Sequence, residues 1–318
     1  MTVTGLIPCE QLGVCDAHNH VWIDGFEGAD PANPVLDQFD HIREELAEYK
    51  KAGGNAILDC QPGGCGRDGR RLRELSESSG VNIIACTGFH RRKYYPQNTA
   101  LWRLSSHSAA DLFIKELTSS LEETADAAHP IKAGFLKVSL EGSWDDCPLP
   151  FLVAAAEAAS KTGCMIEIHT EKGALSFEIV EFFSGRGVPV DRLVICHIDK
   201  RPDFGLHAEL AAAGVLLEYD TFFRPKYEPE TRLWPLIDRM VAAGLGGSVS
   251  LATDMAEKEM YQSIGGGPGL ASLPRTIIPR LRERGIPEPD ITRLTGGNIV
   301  RRLASLNLME SFLENKHD

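Results

Sequence analysis

MIEIHTEKGALSFEIVEFFSGRGVPVDRLVICHI, residues 165–198, reads as one complete strand–helix–strand unit. A short β-branched run, Met165–Thr170, passes into an amphipathic stretch, Ala174–Arg186, which stops at Gly187; a second apolar run, Leu193–Ile198, follows. Parallel strands need a crossover connection, and short apolar runs alternating with longer helix-period stretches are its signature. Both runs carry a histidine near their C-terminal ends, His169 and His197.

The same alternation extends in both directions. Strands are expected at Val14–His20, Asn55–Gln61, Asn82–His90, Gly134–Leu140, Leu216–Thr221 and Val249–Asp254, besides the two above. Helices are expected at Gln38–Ala52, Ala109–Ala125, Leu149–Thr162, Phe204–Ala213, Glu230–Ala243 and Leu273–Arg284, with glycine stops at Gly53, Gly163, Gly214 and Gly244. Eight such units predict a closed α/β barrel, the (β/α)8 TIM barrel, as one domain over residues 1–318. An open doubly wound sheet would carry a glycine-rich dinucleotide turn after an early strand, and none occurs. The first twelve or so residues are expected to form a small hairpin under the barrel, and the tail after Asp290 two short closing helices.

Composition narrows the function. Lys and Arg total 33 against 45 Asp and Glu, a net charge of -12 that argues against nucleic acid. No apolar run is long enough to span a bilayer, and the start MTVTGLIPCEQLG lacks a basic, then apolar, leader. The eight cysteines are scattered without a CxxC pair, which suits free thiols in a reducing, cytoplasmic compartment. A homodimer is compatible with all of this.

Residues suited to metal binding end several strands. In Cys15-Asp16-Ala17-His18-Asn19-His20, alternation sends His18 and His20 to the same side, where two imidazoles can share an ion. Taken singly, His169 and His197 read as core histidines and Asp254 as a helix N-cap. Together they place ligand types at the ends of strands one, five, six and eight, where this fold keeps its catalytic groups. Ser250 and Ala252, on the same face as Asp254, are small and leave room above them. Lys137 sits mid-strand with the parity of Phe135 and Ser139, facing the barrel interior. Burial lowers the pKa of an ammonium, and a neutral amine can add carbon dioxide to give a carbamate able to bridge two metal ions. A structural ion pair with Glu167 is the alternative. Imidazole and carboxylate donors suit zinc and similar divalent ions, manganese and cobalt among them.

The order HxH, Lys, His, His, Asp resembles the amidohydrolase superfamily, and most closely its phosphotriesterase-like family, in a lactonase-type member. The resemblance runs from Cys15-Asp16-Ala17-His18-Asn19-His20 through Thr87-Gly88-Phe89-His90, His169-Thr170-Glu171-Lys172-Gly173, Cys196-His197-Ile198-Asp199 and Ala252-Thr253-Asp254 to Leu294-Thr295-Gly296-Gly297-Asn298. It implies a hydrolase with two divalent metal ions per chain. His18, His20 and Asp254 would hold the more buried ion, His169 and His197 the more exposed one, and carbamylated Lys137 would bridge them. Asp254 is expected to carry the nucleophile's proton to the leaving group.

The loops after the strands are basic for so acidic a chain: Arg91-Arg92-Lys93, Lys172, Lys200-Arg201, Arg224, Lys226 and Lys258. They predict a small anionic substrate, and the run Gly265-Gly266-Gly267-Pro268-Gly269 could offer backbone N–H groups to a phosphate. Some members of the resembled family hydrolyse phosphorylated sugar lactones, which implies substrate contacts from Lys226, Lys258 and Tyr261, with Tyr94 or Tyr95 near the metals. Rival readings are a phosphotriesterase, carboxylesterase or amidase on the same centre, an isomerase or lyase using Asp199 or Glu171, and a non-catalytic binding barrel.

Overall fold

The computed structural model describes residues 1–27 and 29–304. Eight strands follow one another: β1 Cys15–Asn19, β2 Ala56–Asp59, β3 Asn82–Gly88, β4 Phe135–Ser139, β5 Ile166–His169, β6 Leu193–Cys196, β7 Leu216–Tyr219 and β8 Val249–Leu251. Each pairs in parallel with the next in chain order. Between them and after them run α1 Phe39–Lys51, α2 Gly69–Ser79, α3 Ser106–Thr118, α4 Leu149–Thr162, α5 Ser176–Ser184, α6 Phe204–Ala212, α7 Leu233–Ala242, α8 Ile278–Glu283, α9 Glu288–Thr292 and α10 Asn298–Leu303. All eight expected strands are present.

The gap between β8 and β1 is drawn together by polar groups. Asp254 N donates to His18 O at 3.0 Å. The Asp16 carboxylate accepts Thr253 N at 3.1 Å and Thr253 Oγ1 at 2.6 Å. The result is a nearly closed (β/α)8 barrel.

Strand alternation divides the apolar residues into two layers. Ala17, Leu58, Ile84, Phe135, Met165, Val194 and Leu216 fill the inside, and Leu12, Ile299 and Leu303 plug its floor. Ile57, Ile83, Leu136, Ile166, Ile195 and Leu217 face the helices. Lys137, Glu167 and Glu218 share the inward parity, and the apolar ring below them gives way to chemistry at that level. At the end of β3 the chain requires a glycine: a Cβ on Gly88 would lie 2.0 Å from Lys137 O.

Helix ends follow their caps. Gly163 closes α4 in the left-handed region, its N–H reaching Ala159 O. The helix expected at 109–125 is shifted. Ser105 accepts Ser108 N and starts α3 three residues earlier. At the other end Ser119 leaves helical geometry, and the Glu116 carboxylate takes the Glu122 N–H at the start of a separate 3-10 turn, Glu122–Thr124. The helix expected from Leu273 opens as a π turn around Pro274, which lacks an N–H, before α8.

The first residues make a tight antiparallel turn, Thr2 to Gly5, with Val3 N bonded to Ile83 O near the start of β3. Both short closing helices are present as α9 and α10; residues 305–318 of the expected tail lie outside the described residues. Among the described residues no helix is long and apolar enough to cross a membrane.

Candidate metal centre

Six side chains from five strands meet at the C-terminal mouth of the barrel. The ring of His18 lies 5.6 Å from His20 and 4.8 Å from His197, and His197 lies 4.7 Å from His169. Asp254 Oδ1 stands 3.9 Å from Nε2 of both His18 and His20, and its Oδ2 3.9 Å from His197 Nδ1. Lys137 Nζ sits 3.1 Å from His18 Nε2. Its side chain is fully enclosed in the barrel, not turned towards the helices.

Backbone kinks aim two of these groups. On β6, Val194 faces inward, so regular alternation would send His197 into the helix layer. His197 instead adopts φ 60°, and Asp254 adopts φ 46°. Left-handed geometry at non-glycine residues stores about 1–3 kcal/mol each, and it concentrates at functional sites. In β1 the pairing register with β2 shifts between Asp16 and Asn19, bringing His18 to the inner face just after Ala17.

Supporting groups orient the rings. His20 Nδ1 meets Gln61 Oε1 at 2.8 Å, and the Gln61 amide is fixed because its nitrogen donates to Cys65 O. His197 Nδ1 meets Asp220 Oδ2 at 2.6 Å. An acceptor at Nδ1 puts the ring proton there and leaves the Nε2 lone pair for a metal ion. His18 Nδ1 lies 2.7 Å from Glu218 Oε1. His169 Nε2 lies 3.4 Å from Glu171 Oε1.

Burial keeps the imidazoles neutral: His20 and His169 are brought down to about 4, and His18 and His197 lie well below their ordinary value. Asp254 behaves in the opposite way. Burial works to raise it, but His197, Arg224 and Lys200 outweigh burial and hold it ionised.

The expectation that burial leaves Lys137 a neutral amine is corrected. Burial does pull it down, yet Cys196, Cys60, Glu167 and Glu218 around it raise it further than burial lowers it. Glu167 Oε2 lies 3.9 Å from Lys137 Nζ, the contact that the alternative role as an ion pair calls for. Glu167 itself is pushed up to about 7 by burial, and Glu218 well above its usual range by burial and by Glu167.

A cavity of about 830 Å³ opens above these groups, lined by His20, His169, His197 and Asp254. Tyr94, Lys226 and Lys258 line it. Tyr95 and Tyr261 do not. Tyr95 is buried against Trp102 and accepts the His90 N–H, and Tyr261 is wholly buried with its hydroxyl donating to His20 O. Both are corrected from substrate contacts to supports of the strand ends. The glycine run after β8 is corrected too. The N–H groups of Gly265, Gly266, Gly267 and Gly269 bond to Gln262, Tyr261, Glu259 and Met260, and none is left for a phosphate. Asp199 is outside the cavity lining, and its Oδ2 accepts from Asp220 N, Thr221 N and Thr221 Oγ1.

The basic rim is partly neutralised. Arg91 pairs with Glu141 and Glu171, and Arg224 with Asp254 and Glu257. Lys93, Lys200, Lys226 and Lys258 line the cavity with no carboxylate within 4 Å among the described residues.

Sequence reasoning missed Glu218, Asp220 and Gln61. The signal available was parity: Glu218 and Asp220 stand two and four residues beyond inward-facing Leu216.

A divalent metal fits this donor set. His18, His20 and Asp254 form one group with ligand atoms within 4.8 Å of one another, and His197, Asp220 and Asp254 a second. Asp220 Oδ1 is buried without a hydrogen-bond partner beside His197 and Asp254, which suits a cation there.

The chain is similar to known proteins over nearly its whole length. A phospho-furanose lactonase of Mycoplasmopsis synoviae is 29% identical over 321 residues, covering 95% of this chain and 91% of that protein. An N-acetyltaurine hydrolase of Tetraodon nigroviridis is 28% identical over 271 residues, 81% of this chain and 75% of that protein. A lactonase from Listeria monocytogenes has the same fold, with a TM-score of 0.87 at 23% identity, over 95% of this chain and 98% of the other. Residues 1–301 match the model of the phosphotriesterase family, so the chain belongs to that family and is one of its metal-dependent hydrolases.

Proposed function

We propose that this hydrolase is a lactonase that opens a phosphorylated or otherwise acidic sugar lactone, working with two divalent metal ions. Zinc is the preferred ion, with manganese or cobalt able to replace it. The ligands are His18, His20, Lys137, His169, His197 and Asp254, with Lys137 as its carbamate. Glu167 and Glu218, both pushed up by burial, can hold protons beside that anion. The eight free thiols suit a reducing cytoplasm.

The observation that carries the substrate reading is the set of four lysines around the cavity that holds the histidines and Asp254, none with a carboxylate within 4 Å among the described residues. Lys200 and Lys226 both approach the Tyr227 ring, at 5.9 and 5.1 Å, and make a cationic side to the cavity. An anionic group held there sets the lactone carbonyl against the histidine cluster. Relatives named phospho-furanose lactonase support this choice.

Divalent ions, if held by these ligands, would polarise the carbonyl and lower the pKa of water. The chain's own residues do the rest. Asp254, held ionised, accepts the proton of the attacking water at a carboxylate oxygen and returns it to the ring oxygen as the lactone opens. The lysines fix the anionic end, and Tyr94 bounds the cavity on the β3 side.

The test is a panel of matched furanose lactones, free and 5-phosphorylated, with an activated phosphotriester and an anionic N-acyl amide. Expected is a kcat/KM for the phosphorylated lactone at least about tenfold above the free one, the worth of one charge-assisted hydrogen bond. No lactone turnover would overturn the reading. Preference for the amide would establish the second reading, favoured by the relatives named N-acetyltaurine hydrolase, whose anionic substrate the same lysines could hold.

A further inference from the structure

A second lobe of about 210 Å³ opens beside the main cavity, sharing His90 and Arg91 with it. Trp102, Ser139 and Phe151 also line it. Two polar atoms there are buried with no hydrogen-bond partner, Trp102 Nε1 and Ser139 Oγ. Unsatisfied buried donors are rare, and two in one lobe need an explanation. Ser139 is the residue opposite His169 in the β4–β5 register, so the lobe begins next to the metal ligands.

His90 adds a third donor. Its Nδ1 accepts the Arg91 N–H at 2.7 Å, which places the ring proton on Nε2. This is the reverse of His20 and His197, whose Nδ1 atoms face acceptors. His90 therefore cannot offer a lone pair to a metal from Nε2. It offers an N–H instead, on the ridge between the two cavities.

The lobe's formal charges cancel. Arg91 is paired with Glu141 and Glu171, and Arg92 is matched by Asp146, which also accepts the Ser143 hydroxyl. An anion gains nothing here that the four cavity lysines do not offer more strongly.

We propose that this lobe is a substrate subsite for an uncharged, hydroxyl-bearing substituent, whose oxygens accept from Trp102 Nε1, Ser139 Oγ and His90 Nε2. Trp102 and Phe151, in edge-to-face contact with ring centres 5.0 Å apart, give its carbon skeleton one apolar wall. The proposal rests on the sugar-lactone reading and adds to it a division of labour: the anionic end of the substrate lies among the lysines, and a neutral hydroxylated end beyond His90.

The test needs no turnover. In metal-loaded, 15N-labelled protein, D-arabinitol is titrated while the indole N–H signals of Trp22, Trp102, Trp144 and Trp234 are followed. Trp102 is assigned by its loss in Trp102→Phe. Expected is a saturable shift of the Trp102 signal with the other three unmoved, and a titration weakened about fivefold in Ser139→Ala, the loss of one hydrogen bond. No shift, equal shifts of all four signals, or unchanged affinity in Ser139→Ala would overturn the subsite. In turnover, Ser139→Ala and Trp102→Phe should reduce the preference for a hydroxylated over an unsubstituted lactone several-fold. Arabinitol binding without lactone hydrolysis would keep the subsite and remove the lactonase reading; hydrolysis without arabinitol binding would do the reverse.

Discussion

Lys137 carries a cation into a pocket of carboxyl and thiol groups, and its chemistry decides how much metal the centre holds. As an ammonium it repels a divalent ion; as a carbamate it attracts two. Lys137→Ala should reduce the metal content from about two ions per chain to one or fewer and lower kcat by about 10³-fold or more, read by elemental analysis and steady-state rates. Full metal loading and activity in that variant would remove the carbamate. Asp220 would act on an ion held by His197 through the contact of its Oδ2 with the ring. Asp220→Asn should weaken metal affinity about 10–100-fold, and unchanged affinity would show that the 2.6 Å contact does not tune the ligand. The proposed function gives Asp254 two duties, ligand and proton carrier. Asp254→Asn should cost a lactone with an alkoxide leaving group about 10²–10⁴-fold, and an activated aryl ester distinctly less. Equal losses, at metal contents checked in parallel, would sink the proton-carrier role.

At the scale of elements, buried acids fasten strand ends to one another. Asp59 closes β2, accepts the Val21 N–H at 2.6 Å, and so ties the chain leaving β1 to its neighbour. Burial pushes Asp59 up to about 7 from 3.8. The folded chain thus binds this proton more tightly than the unfolded chain. Its contribution to stability is full below about pH 4 and is lost as pH rises towards 7. Asp59→Asn removes the titration. The stability of the variant minus that of the wild type should climb with pH by up to about 1.4 kcal/mol per unit across that window. Urea unfolding of both chelated proteins measures it, and parallel curves would refute the shift. The elements themselves were largely legible. All eight strands and most helices follow from apolar period and glycine stops. The early start of α3 and its break at Ser119 were not, because a serine cap and the distant reach of Glu116 decided them.

For the whole molecule, the proposed metal centre, built from five strand ends, would couple ion binding to closure of the barrel. Chelation should lower stability by about 5 kcal/mol when two sites are compared with free metal a hundredfold above each dissociation constant. That corresponds to a fall of roughly 10 °C in the unfolding midpoint. Readdition of zinc should restore both midpoint and activity, and a midpoint indifferent to chelation would contradict the proposed centre.

The chain's own order of residues determined the strand count, the barrel and the six ligand types at strand ends, since these depend on local period and spacing. Tertiary structure alone decided which polar groups meet across the barrel. Glu218 and Asp220 stand beside His18 and His197. Tyr95 and Tyr261 turn away from the cavity, and the glycine loop satisfies its own N–H groups. Thiol and carboxyl groups from other strands, Cys196, Cys60, Glu167 and Glu218, surround Lys137 and oppose the lowering that burial alone would give. Such facts depend on distances between residues far apart in the chain, and on the competition between burial and neighbouring charge, which no local pattern encodes.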